Sequence, residues 1–328
     1  MNSALLAVIV YVGCGTDAKH PNGLNVVELD ETSGRASVVA SYPVSAATYQ
    51  ALSPDGTVLY SVTKTGLSSF RASGAKLEHI DDFACGSPCH VSVMPDGAQV
   101  NWADYGRGTC GSVAVKDGRF IGDGVTHTHP KPSHCHQAMP TPDGASWCVV
   151  DLGLDTITTY PKGEVLHTLP VGAGPRHLVF HPNGRLVFVV SELGNWLASY
   201  SWNARTGFVP LHGLSTIPNG DGHPNKHDYA SAVRLTPDLR RVVVTNRGEE
   251  SLAVYDYDEK TGRLSFCSRT KLPGSWPRDF AFVSGNLGMV AMERTGDVHI
   301  VRYEPKDGSF TLVSTLSGFH RPAGILGR

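Results

Sequence analysis

An arginine and a glutamate frame residues 174–200, GPRHLVFHPNGRLVFVVSELGNWLASY. Arg176 and His177 open an apolar run, Pro182-Asn183-Gly184 reverses the chain, and a second apolar run delivers Ser191 and Glu192. An antiparallel hairpin ends where it began, so the Arg176 guanidinium and the Glu192 carboxylate are predicted to meet at one sheet edge. A permanent cation beside a carboxylate suits anion recognition and proton transfer next to developing charge.

The same turn recurs as SPDG at Pro54, MPDG at Pro95, TPDG at Pro142, HPNG at Pro182 and TPDL at Pro237, with a degenerate SGNL copy at Ser284. The prolines are spaced by 41, 47, 40 and 55 residues, with 47 more to Ser284. Six residues before each turn proline, with Ser284 standing in for the last, are Thr48, Cys89, His136, Arg176, Ser231 and Arg278; ten after it are Lys64, Tyr105, Leu152, Glu192, Arg247 and Arg294. Short strands repeating at about 40 to 50 residues are the signature of a β-propeller blade, whose inner strand borders a central channel. One mouth of that channel is therefore predicted to gather His136, Arg176, Glu192, Arg247, Arg278 and Arg294, with Lys64 and Tyr105 beside them. This is a cationic funnel with one carboxylate and one imidazole in it.

The elements that must position these groups follow from composition. With 36 Gly, 21 Pro and short Val-, Thr- and Tyr-rich runs, the chain reads as all-β. Six turns plus a unit made from N-terminal YVGCGT…LNVVELD and C-terminal strands give a seven-bladed β-propeller, one domain over 1–328, closed by pairing of the two ends. VHIVRY and FTLVST, after Asp297, are expected to pair with the N-terminal material. Residues 4–12 read as a buried first strand rather than a signal segment, and residues 217–229 as a long loop. A net charge of -2 supplies no global field for nucleic acid or an anionic membrane. Seven scattered cysteines argue for reduced thiols in the cytoplasm and against a disulfide framework. Cys85 and Cys89 are read as structural, Trp102 and Trp196 as core or channel wall, and Asp151 and Asp155 as loop caps. No metal site is expected from His127, His129, His134 and His136, and no cofactor. Nucleophile-elbow, P-loop and dinucleotide motifs are absent from the sequence.

YVGCGT, SPDGTVLYSV, PCHVSVMPDG, HCHQAMPTPDG, GPRHLVFHPNG with SELGNW, TNRG with SLAVY, and WPRDFAF together resemble the seven-bladed propeller lactonases, which include bacterial 6-phosphogluconolactonases and fungal carboxy-muconate lactonising enzymes. The resemblance covers essentially the whole chain. It implies an active site of His136, Arg176, Glu192 and Arg247. It further implies a carboxylic-ester hydrolase acting on a lactone, with 6-phosphogluconolactone of the pentose phosphate route as substrate. Cys14 in YVGCGT, Leu239 in the sixth turn and the proline-free seventh turn depart from the family pattern.

Lactone hydrolysis needs a base for water and positive charge where the carbonyl oxygen becomes an oxyanion. His136 is the natural base at an ordinary pKa of about 6.5, with Glu192 as the other candidate. Arg176 and Arg247 suit the oxyanion, and Arg278, Arg294, Lys64, Tyr105, His134 and His177 the rest of an anionic small molecule. Cyclisation of a carboxylated muconate and a non-catalytic binding propeller are the competing readings. The chain is expected to act as a monomer, without nucleic-acid or membrane partners.

Overall fold

Unbroken apolar runs such as LVFVV and VVV leave no polar face on a strand, so both faces must be covered. The computed structural model shows what covers them; it describes residues 7–217 and 227–328, and among these every regular element is a β-strand. The strands form seven four-stranded antiparallel sheets arranged as the blades of a propeller. In blades 2 to 7 the inner strands are Gln50–Leu52, His90–Val93, Cys135–Pro140, Pro175–Phe180, Tyr229–Leu235 and Pro277–Ser284, each followed by its three partners in chain order.

Blade 1 combines both ends of the chain. Its inner strand is Pro322–Gly327 and its other strands are Ala7–Cys14, Leu24–Asp30 and Ala36–Tyr42, with Val10 opposite Gly327 and Val12 opposite Ile325. Closure by N- and C-terminal pairing thus holds, with one correction. VHIVRY and FTLVST lie in the outer strands of blade 7, Asp297–Tyr303 and Phe310–Ser317. The inner hairpin of blade 7 needs two outer strands, and the next two in the chain reach it through short connections; only the last strand remains for blade 1.

Successive residues of a strand serve different neighbours. Val187 and Val189 pack against blade 4, whereas Leu186, Phe188 and Val190 pack against blade 6. Each buried aliphatic side chain contributes about 1.5–3 kcal/mol, and one such cluster fills each blade interface. The interface of blades 3 and 4 has the least aliphatic filling, with Cys110, Cys135, Trp147 and Tyr160 among its members.

The turns behave as their residues dictate. Gly56, Gly97, Gly144 and Gly184 take φ of 65 to 73°, and Leu239 is forced to φ 55° at the same place in blade 6. Trp102 is buried, but Trp196, read as core or wall, is 44% exposed. It begins its strand on the face that Gly213 leaves bare, where a Cβ would meet the indole. Asp155 caps a loop as expected, accepting the N–H groups of Gly172 and Gly174. Residues 4–6 and 218–226 lie outside the described residues.

Candidate active site

The inner strands carry a device that residue spacing does not announce. In blade 4, Cys135 pairs with Asp151 and Gln137 with Val150, leaving His136 unpaired. In blade 5, Pro175 pairs with Ser191 and His177 with Val190, leaving Arg176; in blade 7, Pro277 pairs with Met292 and Asp279 with Ala291, leaving Arg278. Blade 6 slips across Ser231 and Ala232. These β-bulges re-aim side chains at the end of a strand. The Cys89 thiol approaches the His136 carbonyl at 3.4 Å, which gives that cysteine the structural role expected of it.

Glu192 is the hub. Its Oε2 lies 3.0 Å from Arg176 Nε and 3.0 Å from Arg247 Nη2, so one carboxylate bridges two guanidinium groups. Arg176 Nη1 donates to Ser231 O at 3.2 Å, and Arg247 Nη2 to Ala230 O at 3.0 Å, which ties both to blade 6. The His136 ring stands 5.6 Å from Tyr105 and 5.2 Å from His177. Arg176 Nη1 also lies 3.3 Å from the ring nitrogens of His177.

Burial sets the electrostatics. It lowers the Arg176 guanidinium to about 9, with Arg247 adding to the effect and Glu192 opposing it. Arg247 is lowered for the same leading reason. His136, His177 and His90 are pushed well below the ordinary imidazole range, first by desolvation and then by arginines. His136 is therefore a neutral imidazole at physiological pH, and its buried Nδ1 has no hydrogen-bond partner among the described residues.

The mouth brings together His136, Arg176, Glu192 and Arg247, with Arg278 beside them. His134 stacks on Tyr105 at 4.3 Å and bonds its carbonyl at 2.9 Å through Nδ1, forming one wall. His177 lies deeper, buried beneath Arg176. Lys64 is exposed, its backbone N–H on Ser45 O. Arg294 is a correction. Glu192 follows Ser191, the partner of Pro175, and in blade 7 the residue after Pro277's partner Met292 is Glu293. The SGNL turn is one residue shorter, so the equivalent position is Glu293, whose N–H bonds Trp276 O as that of Glu192 bonds Gly174 O. Glu293 accepts from Arg278 at 3.0 Å and from Arg321 at 2.7 Å. Although burial alone would lower it, this pair holds the Arg278 guanidinium above its ordinary value. Arg294 instead lies exposed over the Trp276 ring at 3.4 Å.

Glu293, Arg321 and Trp276 were not legible from turn spacing. Trp276, from WPRD, holds φ 71° with its N–H on Glu250 Oε2 at 2.6 Å, and its ring faces Arg247 at 5.3 Å. The histidines considered together as metal ligands separate. His127 packs on Tyr160, His134 on Tyr105 and His136 in the channel, while His129 turns inwards to Asp151.

At the turn end the channel opens as a cavity of about 390 Å³ lined by Tyr49, Gln137 and Arg234 among others. There Arg234 Nη2 donates to Asp279 Oδ1 at 2.7 Å, and Asp279 Oδ2 accepts the Ile325 N–H of the closing strand.

Residues 9–325 match the family described as Lactonase, 7-bladed beta-propeller. The chain is 33% identical over 337 residues to a 6-phosphogluconolactonase of Bacillus subtilis, covering 94% of this chain and 95% of that one. A solved Lactobacillus plantarum protein is similar at TM-score 0.88 and 26% identity, over 98% of this chain and 100% of that one. The periplasmic gluconolactonase of Pseudomonas aeruginosa shares the fold at TM-score 0.88 and 23% identity, over 98% and 99%.

Proposed function

The chain belongs to the seven-bladed β-propeller lactonase family, and on that premise we propose that it hydrolyses 6-phospho-D-glucono-1,5-lactone to 6-phosphogluconate. The observation that carries this reading is the charge balance of the mouth: among the described residues Arg176, Arg247, Arg278 and Arg321 converge on two carboxylates, Glu192 and Glu293. Cations that their own protein leaves under-neutralised, buried at Arg176 and Arg247 and open to solvent at Arg321, suit an anionic substrate.

In this reading the neutral His136 accepts a proton from water as its oxygen adds to the lactone carbonyl carbon. Arg176 and Arg247 hold the oxyanion, Glu192 positions both guanidinium groups, and collapse breaks the bond between that carbon and the ring oxygen. The proton returns from the imidazolium to the departing ring oxygen, which becomes a hydroxyl. Arg278, with Arg321 at the rim, receives the phosphate. Glu192 is committed to two arginines at 3.0 Å each, which favours His136 over it as the base. The seven free cysteines fit a cytoplasmic place in the pentose phosphate route. Among the described residues no helix is long and apolar enough to cross a membrane.

The test is turnover of the phosphorylated lactone against unphosphorylated glucono-1,5-lactone, each above its spontaneous rate, with carboxy-muconate cyclisation assayed on the same preparation. Faster kcat/KM on the phosphorylated lactone supports the reading. Equal rates remove the phosphate preference, cyclisation replaces the reaction, and silence in all three leaves a binding propeller.

A further inference from the structure

Between blades 3 and 4 the chain buries two thiols, an imidazole, a carboxylate and a phenol where neighbouring interfaces bury mainly aliphatic groups. Cys110 and Cys135 are both 0% exposed, and the His129 side chain 8%. The candidate ligand atoms of Cys110, His129 and Cys135 lie within 4.8 Å of one another. Cys110 Sγ is 3.8 Å from His129 Nε2, and Cys135 Sγ is 3.7 Å from its Nδ1. A tetrahedral zinc ion, with sulfur at about 2.3 Å and imidazole nitrogen at about 2.0 Å, requires sulfur–nitrogen separations of about 3.5 Å. The side chains need to move by only a few tenths of an ångström to reach that arrangement at Cys110.

The surroundings select one ring nitrogen. His129 Nδ1 faces Asp151 Oδ2 at 2.7 Å, and that carboxylate is held by Ser133 Oγ at 2.6 Å and by the N–H groups of His134, Gly153 and Leu154. A carboxylate fixed behind an imidazole orients the opposite nitrogen toward a metal. The Tyr160 hydroxyl is hydrogen-bonded to that nitrogen, Nε2, at 2.5 Å; two ligands of one tetrahedral ion at about 2.0 Å each stand about 3.3 Å apart, so the phenol must swing back by about 0.8 Å as an ion enters between them. We propose that Cys110, Cys135 and His129 Nε2 bind one zinc-class divalent ion, with the Tyr160 oxygen at the fourth corner and Asp151 orienting the imidazole.

Such a site is closed and structural. It is separate from the catalytic reading, because it faces the blade interface and its donors are buried from solvent. It has a consequence for the mouth. Residues 129–135 lead directly into the bulge at His136, His134 N–H bonds Asp151, and Leu152 N–H bonds His134 O. A bound ion would clamp this segment to both blades.

The experiment uses the full chain, purified under reductant, stripped with chelator and titrated with Co2+ and then Zn2+. One cobalt equivalent per chain, with a thiolate-to-cobalt charge-transfer band that zinc displaces, is expected. Cys110→Ser and Cys135→Ser should lose the band; His20→Ala, in the exposed cluster with Asp17 and His320, should keep it. No band in the folded wild-type protein overturns the proposal, as does a band surviving the double serine variant, or a Cys110–Cys135 disulfide in reduced protein. Should the serine variants not fold, native thiol labelling mapped by mass spectrometry decides on the wild type: zinc must slow labelling of Cys110 and Cys135, and equal rates overturn the site.

Discussion

The two ends of the central channel hold similar residues in opposite states. At the turn end Arg234 meets Asp279 one to one at 2.7 Å, and Asp279 raises the guanidinium even though burial alone would lower it. At the mouth Arg176 shares Glu192 with Arg247 and falls to about 9 through burial and the neighbouring arginines. A balanced pair braces the ring through the Ile325 N–H of the closing strand. An unbalanced cluster leaves an electrostatic deficit, which on the proposed reading an anionic substrate would relieve. Buried arginine alone therefore does not mark a site; the ratio of guanidinium to carboxylate does.

The contrast can be broken first at its strongest point. Replacing His136 by Ala should lower kcat by about 10²–10⁴ with little change in folding, and Asp279→Ala should do the reverse. Loss of that carboxylate leaves Arg234 unpaired and the closing strand short of one acceptor, at a cost of about 3 kcal/mol, the low end for a buried pair because Arg234 keeps 21% of its surface exposed. Urea unfolding and steady-state kinetics on both variants check the exchange; a turn-end variant that loses turnover while stable would erase the distinction.

Glu192→Gln sharpens it. Removing the one charge that partly balances Arg176 and Arg247 should tighten inhibition by inorganic phosphate by on the order of tenfold at an effective dielectric near 20, while kcat falls because both guanidinium groups lose their anchor. Inhibition constants and kcat from one data set separate the two effects.

Acid should act on both activity and stability. His90, His136 and His177 all titrate well below about 6.5, the value expected unfolded. Below that pH the unfolded chain binds protons that the folded one refuses, so stability present above about 6.5 is lost as pH falls further, and above it these groups contribute no slope. The acid limb of kcat/KM should also fall below 6.5. A midpoint at or above it would show His136 to be solvated or not the base.

The smallest effect lies in a turn. Leu239 adopts φ 55° where four sister turns have glycine, so Leu239→Gly should raise stability by about 0.5–1 kcal/mol, relief of left-handed strain outweighing the extra freedom of the unfolded glycine. A shift in the urea midpoint at constant slope checks it.

Repeat spacing made the ring, its closure through both termini, and the convergence of His136, Arg176, Glu192 and Arg247 legible in one dimension, because a hairpin of fixed length returns each slot to the same face. It failed where length was not fixed. The shorter SGNL turn moved the seventh slot from Arg294 to Glu293, and with it the second carboxylate of the mouth. Which strands pair at the closure also depended on how many partners blade 7 had already taken. The bulges at His136, Arg176 and Arg278 left no mark in spacing, since one unpaired residue changes a side chain's direction without changing the repeat. Residue order thus determined which groups lie at the same level of the ring. Only the tertiary structure decided which charges are balanced, because that depends on distances between blades that no local pattern encodes.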